Sequence, residues 1–171
     1  FFEYFTEANH LRARDCLEEA VKRDPQYADA WGWLAILYAI EHAWKFNLRE
    51  DPLGRALRAG NTAVAADRNS QMAWEGKAAA HHYRGEWDEF HAAAQKTISL
   101  NPNHVSTIGN MAWYYANFGD YNRAMPLVDH AVALSPFPPF WFFHVHWHKY
   151  YADGNFEAAL EYAKKGKQEG F

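Results

Sequence analysis

The sequence predicts an all-α fold, a right-handed superhelical α-solenoid of antiparallel helix pairs. Three observations predict it. A frame of 34 residues recurs and is tied to proline, with Pro102 and Pro136 one period apart. Within that frame large, small and turn residues return at the same offsets. No apolar run approaches the roughly 20 residues that a membrane span requires, so the pattern is one of short amphipathic helices.

The window 105–136 sets the phase. Ile108, Met111, Ala112 and Tyr115 fall at positions 4, 7, 8 and 11, Gly119 at 15, and Tyr121, Ala124, Val128 and Ala131 at 17, 20, 24 and 27. Helices approach closely where a small side chain faces a neighbour, so Ala112 and Ala124 mark the crossing and Tyr115 and Tyr121 fill the space around it. Gly119 is expected to end the first helix in the left-handed conformation, and Asp120 to cap the second.

The preceding window, 71–102, places Trp74, Ala78, Gly85, Trp87 and Pro102 in the same slots, with Lys77, His81, Phe90 and Thr97 as departures. Farther upstream, Tyr4, Ala13, Leu17, Ala20 and Pro25 fill the second half of a unit, so the chain is expected to begin inside a repeat. The second unit opens with Trp31, Leu34, Ala35 and Tyr38 and closes with Ala56, Ala63 and Arg68. It is nine residues too long, and the surplus lies between Tyr38 and Ala56. Residues 42–52 therefore read as an extension of the first helix followed by a loop that Pro52 ends. The last unit is phased by Gly154 and Phe156, with Pro138 and Pro139 at the entry to its first helix. Trp147 occupies a normally small site there, which implies a wider crossing or a register shift of one. The expected organisation is one domain, 1–171, with repeats at 1–27 (partial), 28–70 (long insertion), 71–104, 105–138 and 139–171. Lys164, Lys165, Lys167 and Glu169 are expected to solvate the last helix.

This pattern resembles the tetratricopeptide repeat over essentially the whole chain. The extended turn before Asp51-Pro52 and Ala56, the Asn101-Pro102-Asn103 link and the Ser135-Pro136-Phe137-Pro138-Pro139 run also look like a bacterial subgroup. They are similar to the tetratricopeptide region that follows the effector domain in class III adenylate cyclases and in winged-helix or TolB-like regulators. That resemblance implies a cytoplasmic, non-enzymatic interaction module attached to another domain.

Composition narrows the function classes. Hydrophobic residues make up 49% of the 171, and the net charge is −4 with acids and bases scattered, so no basic footprint for nucleic acid is present. The acids read as solvated helix faces. Cys16 is the only cysteine, which excludes an intrachain disulfide and permits a reducing compartment; it reads as a structural thiol. The chain has no phosphate loop, Gly-x-Ser-x-Gly turn or His-Glu-x-x-His run. No catalytic residue, metal or cofactor is expected.

In tetratricopeptide proteins, first-helix positions 2, 5, 9 and 12 line the concave groove. Here they hold Asp29, Gly32, Ile36 and Ala39, then Met72, Glu75, Ala79 and His82, then Ser106, Gly109, Trp113 and Ala116, and finally Trp141, His144, His148 and Tyr151. With the adjoining Tyr83 and Asn117, the expected partner-binding set is Glu75, His82, Tyr83, Trp113, Asn117, Trp141, His144, His148 and Tyr151. The expected partner is a protein, a peptide or another domain of the same chain. Trp113 and Trp141 read equally as packing against the next repeat. Two alternatives stand beside this reading: a small-molecule or metal sensor built on the histidines and aromatics, in which His144 and His148 sit four apart on one helix face, and an architectural or dimerising spacer.

Tetratricopeptide proteins that hold acidic chaperone C-termini use a cationic clamp of Lys, Asn and Arg. Gly32, Ile36, Gly76, Ser106 and Asn110 occupy those slots here. An acidic chaperone-type peptide is therefore expected to bind no better than its scrambled control in a fluorescence-polarisation titration; salt-sensitive micromolar binding would contradict this.

Overall fold

In the computed structural model, residues 6–166 are described and fall into two compact helical units, divided between Leu100 and Asn101. Tyr4, Lys167 and Glu169 lie outside the described residues. All regular structure among the described residues is helical, and no helix there is long and apolar enough to cross a membrane.

The first unit contains α1 (Glu7–Arg23), α2 (Ala28–Trp44), α3 (Pro52–Ala66), α4 (Gln71–Arg84) and α5 (Trp87–Leu100). Side-chain caps start three of them: Thr6 accepts from the Asn9 N–H, Asp51 from that of Gly54 and Ser70 from that of Ala73. Pro52 opens α3, where its missing N–H costs no helical bond. The tryptophans at the fourth repeat position do the same job twice. Trp31 Nε1 donates to the Pro25 carbonyl at 3.0 Å and Trp74 Nε1 to the Arg68 carbonyl at 2.9 Å. Arg68 thus ends its loop as proline does elsewhere, because the anchoring bond is made to a backbone oxygen that any residue supplies.

Helix α2 is the centre of this unit. Every residue from 34 to 41 is buried, and α2 packs on α1, α3 and α4. Its approach to α4 is backbone on backbone. A Cβ added at Gly32 would lie 2.4 Å from the Met72 carbonyl oxygen, and one at Gly76 would lie 2.4 Å from that of Gly32. Leu34, Ala35, Tyr38, Ala39, Ala56, Ala59 and Ala80 complete the core around this contact.

The surplus residues of the second repeat extend α2 to Trp44 and then form a loop in which Lys45, Asn47 and Asp51 have positive φ. Polar bonds hold that loop against α1. The Asn47 N–H donates to Glu7 Oε1 at 3.1 Å, the Asn47 amide donates to the Glu7 carbonyl at 2.8 Å, and Arg14 Nη1 donates to the Asn47 carbonyl at 2.8 Å. Beneath it lies Glu41, fully buried. It accepts from Arg14 Nη1 at 2.9 Å, from the Arg49 N–H at 2.5 Å and from Arg55 Nη2. His10, also fully buried, donates from Nε2 to the Leu37 carbonyl at 3.0 Å, which leaves Nδ1 to accept from the Asn47 amide at 3.3 Å. Glu41 and Arg14 therefore correct the expectation that the scattered charges occupy solvated faces. Charge spacing alone does not distinguish a solvated acid from one whose partners come from three other segments. Cys16, expected as a structural thiol, is exposed on α1.

The second unit contains α6 (Val105–Asn117), α7 (Tyr121–Leu134), a 3₁₀ turn (Phe140–Phe142), α8 (Phe143–Ala152) and α9 (Phe156–Lys165). Gly119 and Gly154 sit at φ +79° and +74° at the two helix-pair turns, with open space around each; Asp120 and Asn155 then cap α7 and α9. Ala112 and Ala124 are fully buried at the α6–α7 crossing. Between α8 and α9 the packing is aromatic: His146 stacks on Tyr162 at 4.5 Å and 5°, and Phe143 and Tyr150 also contact the Tyr162 ring. Trp147 is only half-buried and stacks on Tyr151, so the large residue at the small site lies beside the crossing rather than in it.

Two stability predictions follow from these contacts. Gly32→Ala and Gly76→Ala should each lower the unfolding free energy by about 1–3 kcal/mol in denaturant melts, because backbone on backbone cannot yield as side chains do; a neutral Gly76→Ala would mean that α2 and α4 are farther apart. Glu41→Gln should cost about 3–5 kcal/mol, because it strands buried Arg14. Burial alone would raise the Glu41 pKa, but the Arg49 N–H, Arg55 and Arg14 outweigh it and hold the group below its ordinary 4.5. Its stabilisation is therefore complete above that value and is withdrawn as pH falls through the lower folded-state pKa. Acid melts of wild type should be steeper than those of Glu41→Gln across this window, and parallel melts would remove Glu41 from the account.

Candidate functional site

The structure divides the expected partner-binding residues between the two units. In the first unit they are mostly packing. Glu75 is 3% exposed and bonded within the chain, and Ile36, Ala39 and Ala79 are buried. Tyr83 packs against the core formed by Tyr38, Ala39 and Ala80. His82 is half-buried, with ring contacts to Tyr83 at 4.8 Å and Phe90 at 5.9 Å. Burial pushes its pKa down to about 4, so the ring is neutral at pH 7. Asp29 accepts from the Ser70 hydroxyl at 2.5 Å and so ties the start of α2 to the start of α4. Little of this set is open to a partner.

The second unit gathers its residues. Trp113, half-buried on α6, lies 5.2 Å from the His148 ring and 6.3 Å from that of His144, both on α8. Helices α6 and α8 pack on each other directly, and Phe142, fully buried one residue before α8, packs against α6 at Gly109. A Cβ at Gly109 would lie 2.2 Å from its ring, so only glycine leaves room for that phenylalanine. Gly109 therefore serves as a socket although it holds a groove position. Tyr151 is 62% exposed and stacks on Trp147 at 6.0 Å and 15°, extending the row of rings along α8. Trp141, half-buried on the 3₁₀ turn, meets Phe142 edge-on at 4.4 Å, and Asn117 is exposed at the end of α6.

The hydrogen-bonding capacity of this face is unevenly used. His144 donates from Nε2 to the Gly166 carbonyl at 3.1 Å, so its ring is held and turned away from joint ligation with His148. His146 faces another direction and pairs with Asp129 at 2.8 Å. Among the described residues, no group of three or more His, Cys, Asp and Glu is arranged to hold a metal ion. Burial, together with the neighbouring His144, lowers the His148 pKa, so His148 is neutral at pH 7. Within the described residues, Trp113, His148, Asn117 and the Tyr151 hydroxyl make no hydrogen bond to the chain. An indole N–H, an imidazole and a carboxamide thus stand beside exposed ring faces. Such a combination is chemically suited to polar and apolar contacts alike.

Sequence reasoning passed over two exposed aromatics at the start of this unit's second helix pair. Phe137 is 91% exposed and Phe140 is 37% exposed, the latter edge-on to His144 at 5.9 Å. The available signal was the Pro-Phe-Pro-Pro run, because a phenylalanine between prolines has no helix face on which to be buried.

No protein-family profile matches the chain, and no curated protein does. Solved structures do match. TTC0263, described as a thermophilic TPR protein in Thermus thermophilus, shares 19% identity at a TM-score of 0.71, over 94% of this chain and 90% of its own. MamA shares 18% identity at a TM-score of 0.62, over 90% of this chain and 84% of its own. A second MamA structure gives 18% and 0.61, over 93% and 81%. At these identities the likeness concerns architecture, and it agrees with the helix pairs, the left-handed glycine turns and the proline-tied period: the chain has a tetratricopeptide-like, all-α solenoid fold.

Proposed function

We propose that the chain is a non-enzymatic protein-interaction module and that the α6–α8 face of its second unit receives an extended peptide segment. The observation that carries this reading is the Trp113–His148 pair, a half-buried indole and a neutral imidazole in contact, both with unused hydrogen-bonding groups. A peptide side chain would rest on Trp113, Trp141 and Tyr151, while Asn117 and His148 would meet its backbone. The sensor alternative gains nothing specific from this face, since the His144 nitrogen is already spent on Gly166.

The segment's place in a larger protein belongs to the same proposal. The long turn before Pro52, the Asn101-Pro102-Asn103 link and the proline run at 136–139 support a regulatory segment of a bacterial signalling or regulatory protein acting in the cytoplasm. In that setting the peptide belongs either to another protein or to a neighbouring domain of the same chain. Homodimerisation is the competing mode, and light scattering reads it directly.

Selection of a displayed random-peptide library on the immobilised chain tests the reading. Enriched peptides should bind in the micromolar range, and Trp113→Ala combined with His148→Ala should weaken them at least about 10-fold, or 1.4 kcal/mol, with helical circular dichroism unchanged. Enriched peptides that bind the double variant equally well would move the site elsewhere; failure to enrich any peptide would count against the module itself.

A further inference from the structure

In the first unit, α4 packs against both α3 and α5, while α3 and α5 make almost no contact with each other. The gap between them is an open pocket of about 390 Å³, within the size range of small-molecule sites. Trp74 and Lys77 of α4 line it, with Leu57 and Asn61 of α3 on one side and Glu89 and Ala93 of α5 on the other. It stays unfilled because the residues facing across it are short or polar.

Three of its polar side chains, Lys77, Asn61 and Glu89, are uncommitted among the described residues. Among the described residues Lys77 makes no ion pair, and its Nζ lies 5.7 Å from the centroid of the Trp74 ring. Asn61 and Glu89 have no hydrogen bond or ion pair within the described residues. His81, which also lines the pocket, is already bonded to Glu86 at 2.7 Å. Lys77 is also one of the residues that depart from the repeat pattern, standing where an apolar side chain is the rule. Its Cα is fixed from below, since a Cβ at Gly60 would lie 2.8 Å away. A half-buried lysine with its ammonium beside an indole, and with no carboxylate partner among the described residues, gains more from an incoming anion than a fully solvated one does.

We propose that this pocket binds a small zwitterion with an apolar body, of the α-amino-acid class. The ligand carboxylate lies on the Lys77 ammonium and the Asn61 amide, its ammonium on Glu89, and its side chain against Trp74, Leu57 and Ala93. The requirement for both ligand charges follows from the pocket's own lining, which holds one free group of each sign. A plain carboxylate would leave Glu89 as a repelling neighbour, and a plain amine would meet Lys77. The site is separate from the peptide face of the second unit and stands or falls without it.

The test uses the full chain and three probes of one shape: L-phenylalanine, 3-phenylpropionate and phenethylamine. The Trp74 indole N–H, assigned in ¹H–¹⁵N spectra with Trp74→Phe, reports occupancy. L-phenylalanine should shift it saturably, and each singly charged analogue should bind at least about 10-fold more weakly. Lys77→Met, which restores an apolar residue of similar length, and Glu89→Gln, at an exposed position, should each weaken L-phenylalanine to the same degree with melting temperatures preserved. If Lys77→Met does not fold, Glu89→Gln and the analogue series decide the matter. The proposal is overturned by the absence of a saturable shift at tens of millimolar L-phenylalanine, by equal binding of 3-phenylpropionate, or by undiminished binding in folded variants.

Discussion

Close approach between helices is the constraint on which this molecule depends. Two helices can touch backbone to backbone only where neither carries a side chain, and Gly32 against Gly76 is such a place, with the Met72 carbonyl completing the contact. The consequence spreads outward. Once α4 is seated on α2, Ala35, Ala39, Ala59 and Ala80 must be small as well, because larger side chains would hold the pair apart. The alanine-rich core is the geometric result of that contact. Adhesion of large apolar residues comes second and fills the periphery. In the second unit the same constraint is met differently: Gly109 admits the Phe142 ring, so an aromatic plug replaces direct backbone contact.

Packing of α1, α3 and the 45–51 loop around α2 has a cost in electrostatics, because residues enclosed there are dried whatever their type. Glu41 and Arg14 are the clearest cases, each surrounded on α2 and α1 and each bonded to the other. A buried ion pair adds little net stability over a packed apolar pair, but it ties together the segments that supply its bonds. Here those segments are α1, α2, α3 and the 45–51 loop, through Arg14, Glu41, Arg55 and Arg49. The extra residues in the second repeat therefore do not form a slack insertion. They place the Arg49 N–H and the Asn47 carbonyl where two buried charges need them, which accounts for three positive-φ residues being accepted in one short loop.

Much of the fold was legible because the repeat writes its turns in residues with little choice of conformation. Gly85, Gly119 and Gly154 all stand at the same phase and all adopt positive φ; the capping Asp120 does what its position implies. Packing roles were less legible. Gly32 and Gly109 occupy slots that a groove reading assigns to solvent, and nothing local tells a glycine that clears space for a ligand from one that clears space for a helix. Phe142 fell between pattern positions, since the 3₁₀ turn before α8 rotates its side chain relative to a continuous helix. The histidines separated by partner, not by spacing: His144 and His148 share a face, yet the Gly166 carbonyl engages one of them.

The departures from the repeat pattern differ in how the surrounding structure satisfies them. Some departures are absorbed. Phe90 and Thr97 stand where small residues are usual, and both are fully buried, Thr97 with its hydroxyl donating to the Ala93 carbonyl at 2.9 Å. Their bulk is accommodated beside a run of buried alanines at 78–80, so they exchange volume between neighbours and leave the architecture intact. Lys77 is different in kind. Among the described residues its charge has no ion-pair partner, and its contact is with the Trp74 ring. A solenoid is tolerant of such a residue because each repeat is stabilised by its neighbours, so one position can carry a function at small expense to the whole. The same reasoning applies to Trp113, whose indole N–H would have found a partner had packing been its only role. Polar groups left open at sites that the pattern would have made apolar or buried are therefore the most informative marks this chain carries.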